Sequence, residues 1–279
     1  MTTLAYHVVD VFTDRAFAGN PLTVVLDGDD LTTGQMQQLA REFNHSETSF
    51  PIRAPEGATY GLRIFTPDSE LPFAGHPSIG AAWVLHQLGR IDSGANVQAC
   101  GAGLLPVDVT ATGATLTGGT PTVGDPVDPA PMLAALGLTA ADLAGPPPRW
   151  AGVGIEFGYL VVHPDALARV QPDVQRVGAL GGTGLALVSY DGTTVRSRVF
   201  PGNVGIVEDP ATGSAALGLG VYLVASGLIS TSDYTVEQGY EMGRPSTLRC
   251  SVTVEDGVVV RSQVSGDVAP VARGEIRLP

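Results

Sequence analysis

The sequence predicts an α+β protein of two similar halves, each a set of β-strands wrapped around one central α-helix. Two observations carry this reading. Glu70-Leu71-Pro72-Phe73-Ala74-Gly75-His76 is echoed 138 positions on (208 − 70) by Glu208-Asp209-Pro210-Ala211-Thr212-Gly213-Ser214. Over the 22 aligned positions that start there, Glu70, Pro72, Gly75, Gly80, Leu85, Gly89 and Ile91 fall on Glu208, Pro210, Gly213, Gly218, Leu223, Gly227 and Ile229. The offset is close to half of the 279 residues, which marks an internal duplication. The second observation is the character of the helices these stretches open. Residues 79–88 and 215–224 are apolar on nearly every side, and a helix that is apolar all round is buried all round.

Taken in order, Leu4 to Phe12 alternates as a strand with two largely apolar faces. Ala18-Gly19-Asn20-Pro21 is a turn and Leu22 to Leu26 the next strand. Thr32 or Thr33 caps a helix carrying Met36, Leu39, Ala40 and Phe43 at helical spacing. The chain then passes through Asn44-His45-Ser46-Glu47 into another strand, and Tyr60 to Thr66 is a further one. Pro77 suits the first turn of the central helix, and Gly89 its C-terminal cap. Just upstream of each repeat, Arg63-Ile64-Phe65 matches Arg198-Val199-Phe200 with a three-residue shift. Strands follow near 96–100, 104–110 and 114–117, and then a Pro-, Gly- and Asp-rich stretch at 118–131 reads as a linker. Short helices are expected near 132–136, 140–143 and 165–170, with strands near 158–163, 185–190, 195–200, 234–237, 248–254 and 258–264. The expected domains are 1–120 and 121–265, with 266–279 able to return to the first.

Composition narrows the function. Hydrophobic content of 44% with 15% charge supports real cores, and the net charge of −13 argues against nucleic acid. All 15 basic residues are arginine, which excludes a Schiff-base lysine, covalently held pyridoxal phosphate and a P-loop lysine. The opening Met1-Thr2-Thr3-Leu4 lacks a basic region followed by an apolar run, and no apolar run reaches the roughly 20 residues of a membrane span. A soluble, cytoplasmic protein without a membrane partner is expected. Cys100 and Cys250 read as buried, reduced thiols, and the five histidines form no metal-ligand pattern, so neither a metal nor a cofactor is expected.

Gly152-Val153-Gly154 and Gly181-Gly182-Thr183-Gly184 lack dinucleotide-loop spacing and read as turns. What remains is the pair of helix starts, with His76 at one and Asp209 and Ser214 at the other. Free N–H groups and the dipole at such starts suit a substrate carboxylate and any enolate-like charge that develops on it. Proton abstraction beside a carbonyl then needs an acid and a base, and His, Asp and Glu are the candidates. Helix capping is the plain alternative for His76 and Ser214, and a turn acid for Asp209. Glu47 reads either as an exposed loop glutamate or as a base partly desolvated by Phe43 and Phe50.

Four blocks together resemble the PhzF (phenazine biosynthesis) family: Phe43-Asn44-His45-Ser46-Glu47-Thr48, Glu70 to Pro77, Glu208 to Ser214, and Gln238-Gly239-Tyr240-Glu241-Met242-Gly243-Arg244-Pro245-Ser246. They occur in family order, and the resemblance covers essentially the whole chain. The resemblance implies a diaminopimelate-epimerase-like fold, two pseudo-symmetric domains, each a β-barrel-like sheet around a central α-helix, with the active site in the cleft. It implies cofactor-free isomerisation like that of trans-2,3-dihydro-3-hydroxyanthranilate, and a homodimer. Glu47 would move the proton from one ring carbon to another, while His76, Asp209 and Ser214 would hold polar groups of the substrate and assist. Ser46, Gly75 and Gly213 would line the substrate. Related epimerases carry a cysteine at each helix start, where this chain has His76 and Ser214, so two-thiol racemisation is disfavoured. Two further readings stand beside the isomerase: a non-catalytic small-molecule binding or regulatory protein, and a hydrolase built on Ser214, His76 and Asp209.

Overall fold

Both helices predicted to be central are enclosed by strands. The computed structural model describes residues 3–192, 194–202, 205–230 and 232–278. The chain divides into two units, Met1–Thr117 with Ser265–Pro279, and Gly118–Val264.

In the first unit β1 (Thr3–Val11) and β2 (Asn20–Val25) pair antiparallel. Helix α1 (Thr33–Phe43) then carries the chain to β3 (Glu47–Ile52), parallel to β2. A parallel neighbour requires such a crossover. Thr32 caps α1 with a capping box, accepting from the Gln35 N–H while the Gln35 side chain takes the Thr32 N–H. Strand β4 (Tyr60–Phe65) lies antiparallel to β3 and also pairs with the two-residue β5 (Glu70–Leu71). Helix α2 (Gly75–Gln87) crosses over to β6 (Gly94–Cys100), parallel to β4. Strands β7 (Gly103–Val109) and β8 (Gly113–Thr117) follow antiparallel. The C-terminal part of the last strand, β16 (Val258–Arg277), lies beside β8 and pairs with β1, which closes an eight-strand barrel. Every residue of α2 from Gly75 to Leu85 is buried inside it.

The second unit contains β9 (Pro121–Val123), α3 (Ala130–Leu136), β10 (Arg149–Val153), β11 (Glu156–Val161), α4 (Pro164–Arg169), α5 (Val174–Ala179), β12 (Gly184–Tyr190), β13 (Thr194–Pro201), α6 (Gly213–Ala225), β14 (Ser232–Gln238) and β15 (Ser246–Glu255). Its sheet runs β16-β15-β14-β13-β12-β11-β10-β9, and the Gly118 N–H ties the segment before β9 back to the Ser262 carbonyl of β16. The pairing senses repeat those of the first unit. From β1 through β2, β3, β4, β6 and β7 they run antiparallel, parallel, antiparallel, parallel, antiparallel. From β10 to β15 they run the same way. Helix α6 is buried from Gly213 to Leu223.

The duplicated side chains make duplicated contacts. In the first unit Arg63 donates from Nε and Nη2 to the two Glu70 oxygens at 2.7 and 2.6 Å, with its guanidinium 5.1 Å from the Phe65 ring centroid. In the second, Arg198 donates to Glu208 at 2.8 and 2.7 Å and lies 5.1 Å from the Phe200 centroid. Each clamp pins the segment entering a central helix onto the strand before it, and the fork geometry gives two parallel charge-assisted bonds.

Several expectations shift. Helices α2 and α6 begin at Gly75 and Gly213, so His76 and Ser214 are second residues of their helices and Ala74 and Thr212 hold the cap positions. Capping is therefore not the role of His76 or Ser214. Within the stretch read as a linker, Pro121–Val123 is a strand paired with β10. Gly152 and Val153, read as a turn, close that strand, and a side chain on Gly152 would sit 2.0 Å from the Ile155 carbonyl oxygen. Residues 140–142 form only a 3-10 turn, and α5 was missed. Cys250 is buried, whereas Cys100 is only partly so; both are free.

The equivalent glycines Gly80 and Gly218 mark where each helix meets its barrel wall. A methyl on Gly218 would lie 2.5 Å from the Tyr159 hydroxyl and 3.0 Å from the Gly152 backbone, while one on Gly80 would meet the ends of Leu22 and Val11 side chains. We expect Gly218→Ala to lower the urea-measured unfolding free energy by about 1–2 kcal/mol, overpacking outweighing better helix propensity. Gly80→Ala should cost less than about 1 kcal/mol, because methyl ends can give way. A Gly218→Ala protein as stable as the parent would show that the helix is not clasped there.

Candidate active site

Helix α1 ends at Asn44, whose left-handed backbone (φ 52°) turns the chain and whose N–H caps the Ala40 carbonyl. The next residues are anchored on β2. His45 Nδ1 lies 2.8 Å from Thr23 Oγ1, and Ser46 Oγ donates to Asn20 Oδ1 at 3.1 Å. Asn20 and Thr23 are fully buried, so this is a built support rather than a surface turn. Glu47 then opens β3, opposite Leu22 of β2. Side chains alternate along a strand, so Glu47 and Ser49 face one way and Thr48 and Phe50 the other.

Phe43 and Phe50 therefore do not act as expected. Phe50 joins the core cluster of Val25, Leu31, Met36, Leu39 and Phe65 under α1, and Phe43 packs edge-on against Tyr6 with centroids 5.0 Å apart. The recorded neighbour of the Glu47 carboxylate is His76, with Nε2 3.4 Å from Oε2. The Glu47 side chain keeps 16% exposure and that of His76 only 4%. Burial, then the nearby charge of His45, pushes the His76 imidazole down to about 3, so it is neutral at physiological pH. A neutral imidazole beside a carboxyl group can share one proton with it.

Behind His76 the first turn of α2 is braced by a buried relay. Tyr60 donates to Gln98 Oε1 at 3.0 Å, Gln98 Nε2 to Ser78 Oγ at 2.9 Å, and Ser78 Oγ to the Ala74 carbonyl at 2.9 Å. Ala74 supplies no side-chain cap, and Pro77 has no N–H. The start of α2 thus presents the Gly75 and His76 N–H groups.

In the second unit the start of α6 is held by Gln238. Its Nε2 donates to the Asp209 carbonyl at 2.8 Å and to Thr212 Oγ1 at 3.0 Å, and its Oε1 accepts from the Thr212 N–H at 3.2 Å. Thr212 Oγ1 donates to Asp209 Oδ2 at 2.6 Å. Ser246 Oγ donates to the Pro210 carbonyl at 3.0 Å. Gly239, at φ +77°, passes so close to the Arg244 and Pro210 carbonyl oxygens that a Cβ would sit 2.3 and 2.5 Å from them. The block from Gln238 to Ser246 is therefore the seat of the α6 entry. Gly213 and Ser214 open the helix, both buried, with no side-chain cap at Thr212.

The structure thus groups Ser46, Glu47, Gly75 and His76 in the first unit and Asp209, Gly213 and Ser214 in the second. Of the supports, Asn20 was read as a turn residue and Thr23, Ser78 and Gln98 as ordinary strand or helix positions. Their shared signal is a polar side chain where the pattern points inward. Gln238 lay inside a quoted motif. Cys250, the buried thiol, is pushed up to about 12 by burial and lies on β15. Among the described residues no group of three or more His, Cys, Asp or Glu side chains is placed to hold a metal ion, and no helix is long and apolar enough to cross a membrane.

A buried helix enclosed by strands, closed into an eight-strand barrel in the first unit and repeated in the second, with a carboxylate beside an imidazole at one helix start, defines a two-fold-repeat α+β fold. The chain belongs to the PhzC-PhzF family, described as phenazine biosynthesis-like protein, whose model matches residues 9–274. It is 36% identical over 288 residues to an uncharacterized isomerase of Pasteurella multocida, across 100% of this chain and 96% of that one. It is 34% identical to the trans-2,3-dihydro-3-hydroxyanthranilate isomerase of Pseudomonas aeruginosa, across 98% and 99% of the two chains. A solved structure described as a predicted epimerase from Pseudomonas aeruginosa superposes with a TM-score of 0.86 at 33% identity, covering 99% of this chain and 100% of that one. The chain is an isomerase of this family.

The buried, neutral His76 has a measurable consequence. Its folded value lies far below the ordinary 6.5, so the unfolded chain takes up the proton first. The stability it contributes is complete above about pH 6.5 and is lost as pH falls toward 3. Urea unfolding at pH 7 and pH 4.5 should show a smaller drop in His76→Gln than in the parent. A His76 ring signal titrating near 6.5 in the folded protein would contradict the placement.

Proposed function

We propose that this isomerase works without a cofactor, moving a proton between two carbons of a small, carboxylate-bearing, cyclic metabolite similar to trans-2,3-dihydro-3-hydroxyanthranilate. The observation that carries the reading is Glu47 Oε2 standing 3.4 Å from Nε2 of a buried His76. An imidazolium at that distance would hold the carboxylate as an ion pair and weaken it as a base. Burial keeps the ring neutral, which leaves the carboxylate basic.

In the proposed step Glu47 takes a proton from a ring carbon, and the electron pair left on that carbon shifts through the adjacent double bond. Glu47, now the acid, returns the proton to the carbon at the far end of the shifted system. One proton leaves and one arrives, so nothing is oxidised. Neutral His76, 3.4 Å away, is placed to steady the Glu47 carboxyl group while it changes charge. The N–H groups of Gly75 and His76 at the uncapped start of α2 suit the substrate carboxylate. Asp209 and Ser214, with Gly213 and Ser46, are proposed to hold the substrate's remaining polar groups, as the resemblance implies. A homodimer and a cytoplasmic location belong to the same proposal and rest on the resemblance.

The hydroxyanthranilate precursor is the first substrate to test. Glu47→Gln keeps shape and hydrogen bonding but cannot accept a proton, so turnover should fall by a factor of about 10²–10⁴ while binding persists. Glu47→Asp, shorter by one methylene, should lose much of the rate by misplacement alone. Turnover of an identified substrate by Glu47→Gln at the parental rate would end this mechanism.

A further inference from the structure

At the other end of α2 from His76, the first unit holds a cavity of about 430 Å³ that the proposed reaction does not use. It opens at the mouth of the barrel, where the last turns of α2 meet the β1–β16 ladder. Val9 and Val11 point inward at Gly80, so His7, two residues before Val9, shares that inner face. The ladder slips there: Val8 pairs with Ala272 but Val9 with Pro270, which leaves Val271 as an extra residue on β16. Such a bulge bends its strand and re-aims neighbouring side chains. His7 and Arg273, partners across the ladder, both line the cavity.

Its chemistry is lopsided. Trp83 donates its indole N–H to the Ala111 carbonyl at 3.1 Å, so its ring is left as wall, together with Val84 and Leu88. The polar lining is His7, Gln87 and Arg273, and among the described residues no carboxylate lines the cavity, in a chain with 28 acidic and 15 basic residues. Among the described residues Arg273 makes no salt bridge, whereas Arg90 nearby is held by both oxygens of Asp27 at 2.7 and 3.1 Å. His7 is held below its ordinary value by burial and then by the charges of Arg273 and Arg90.

We propose that this barrel mouth is a second binding site, for a small organic monoanion: a carboxylate on an aromatic or branched apolar body. Arg273 and His7 hold the carboxylate, and Trp83, Val84 and Leu88 take the body. The volume lies in the range of small-molecule sites, about 300–1,000 Å³. The site is distinct from the candidate active site. Helix α2 runs 11 residues from His76 to Gln87 (87 − 76), a separation of about 16 Å at the α-helical rise.

The chain has two tryptophans, so two indole N–H signals report on it. Titrating the full ¹⁵N-labelled chain with 2-naphthoate should move the Trp83 signal saturably and leave Trp150 in place, in the parent and in Glu47→Gln alike. The neutral analogue 2-naphthalenemethanol should bind about tenfold more weakly, as should naphthoate to Arg273→Gln, since each loses a charge-assisted contact. Gln87→Glu, which puts a negative charge at the exposed rim, should weaken naphthoate and leave the alcohol unchanged. An unmoved Trp83 signal, a shift lost in Glu47→Gln, or equal naphthoate affinity in Arg273→Gln and the parent would overturn the proposal.

Discussion

A helix with no polar face has to be enclosed, and most of what is distinctive in this protein follows from that. Eleven consecutive residues of α2, and eleven of α6, are buried. In the first unit a closed ring of strands accomplishes this, because closure surrounds a helix on every side while leaving no sheet edge unpaired. Each central helix is itself a crossover, so the strands it joins, β4 with β6 and β13 with β14, are parallel. Close enclosure needs small residues at the contacts, which Gly80 and Gly218 supply. It also buries backbone and side-chain polar groups, and each needs a partner. The Tyr60–Gln98–Ser78–Ala74 relay and the Gln238 bonds around Thr212 meet that need.

The duplication has conserved structure and diverged in chemistry. The Arg–Glu clamps recur with nearly the same geometry, but the Arg198 and Glu208 side chains are 10% and 11% exposed against 25% and 38% for Arg63 and Glu70. The better-buried clamp is the one whose loss costs more, since removing one partner strands a charge out of water. Divergence falls at the second residue of each helix. In the first unit that residue is His76, set against a carboxyl group; in the second it is Ser214, in a helix start where the nearby Asp209 bonds Thr212. An imidazole and a hydroxyl thus occupy equivalent helix positions in two repeats of one scaffold.

The electrostatics of the first unit follow from the same enclosure. An imidazole at a helix start inside a barrel has little water to stabilise its charge, and the positive end of the helix dipole adds to that cost. Burial keeps His76 neutral and lets it stand beside Glu47 without neutralising the carboxylate. At the other end of the helix the barrel mouth is open, and there His7 and Arg273 meet solvent-accessible space instead.

Much of the fold was legible in local pattern. The repeat, the all-round apolar helices and the alternating strands depend only on residues near one another in the chain, so the α+β class and the enclosed helices could be read directly. So could the placing of His76, Ser214 and Glu47 near the starts of elements. What could not be read was which residue each one meets. Phe50 is close to Glu47 in sequence but on the opposite face of β3, whereas His76, 29 positions away (76 − 47), is its neighbour. Asn20, Thr23 and Gln238 look unremarkable until β2, the turn into β3 and the start of α6 are brought against them. The pairing of His7 with Arg273 needs the two ends of the chain to come together. Periodicity and punctuation are local and therefore written in the sequence; strand register, barrel closure and the burial that sets an imidazole's charge arise only when distant segments pack.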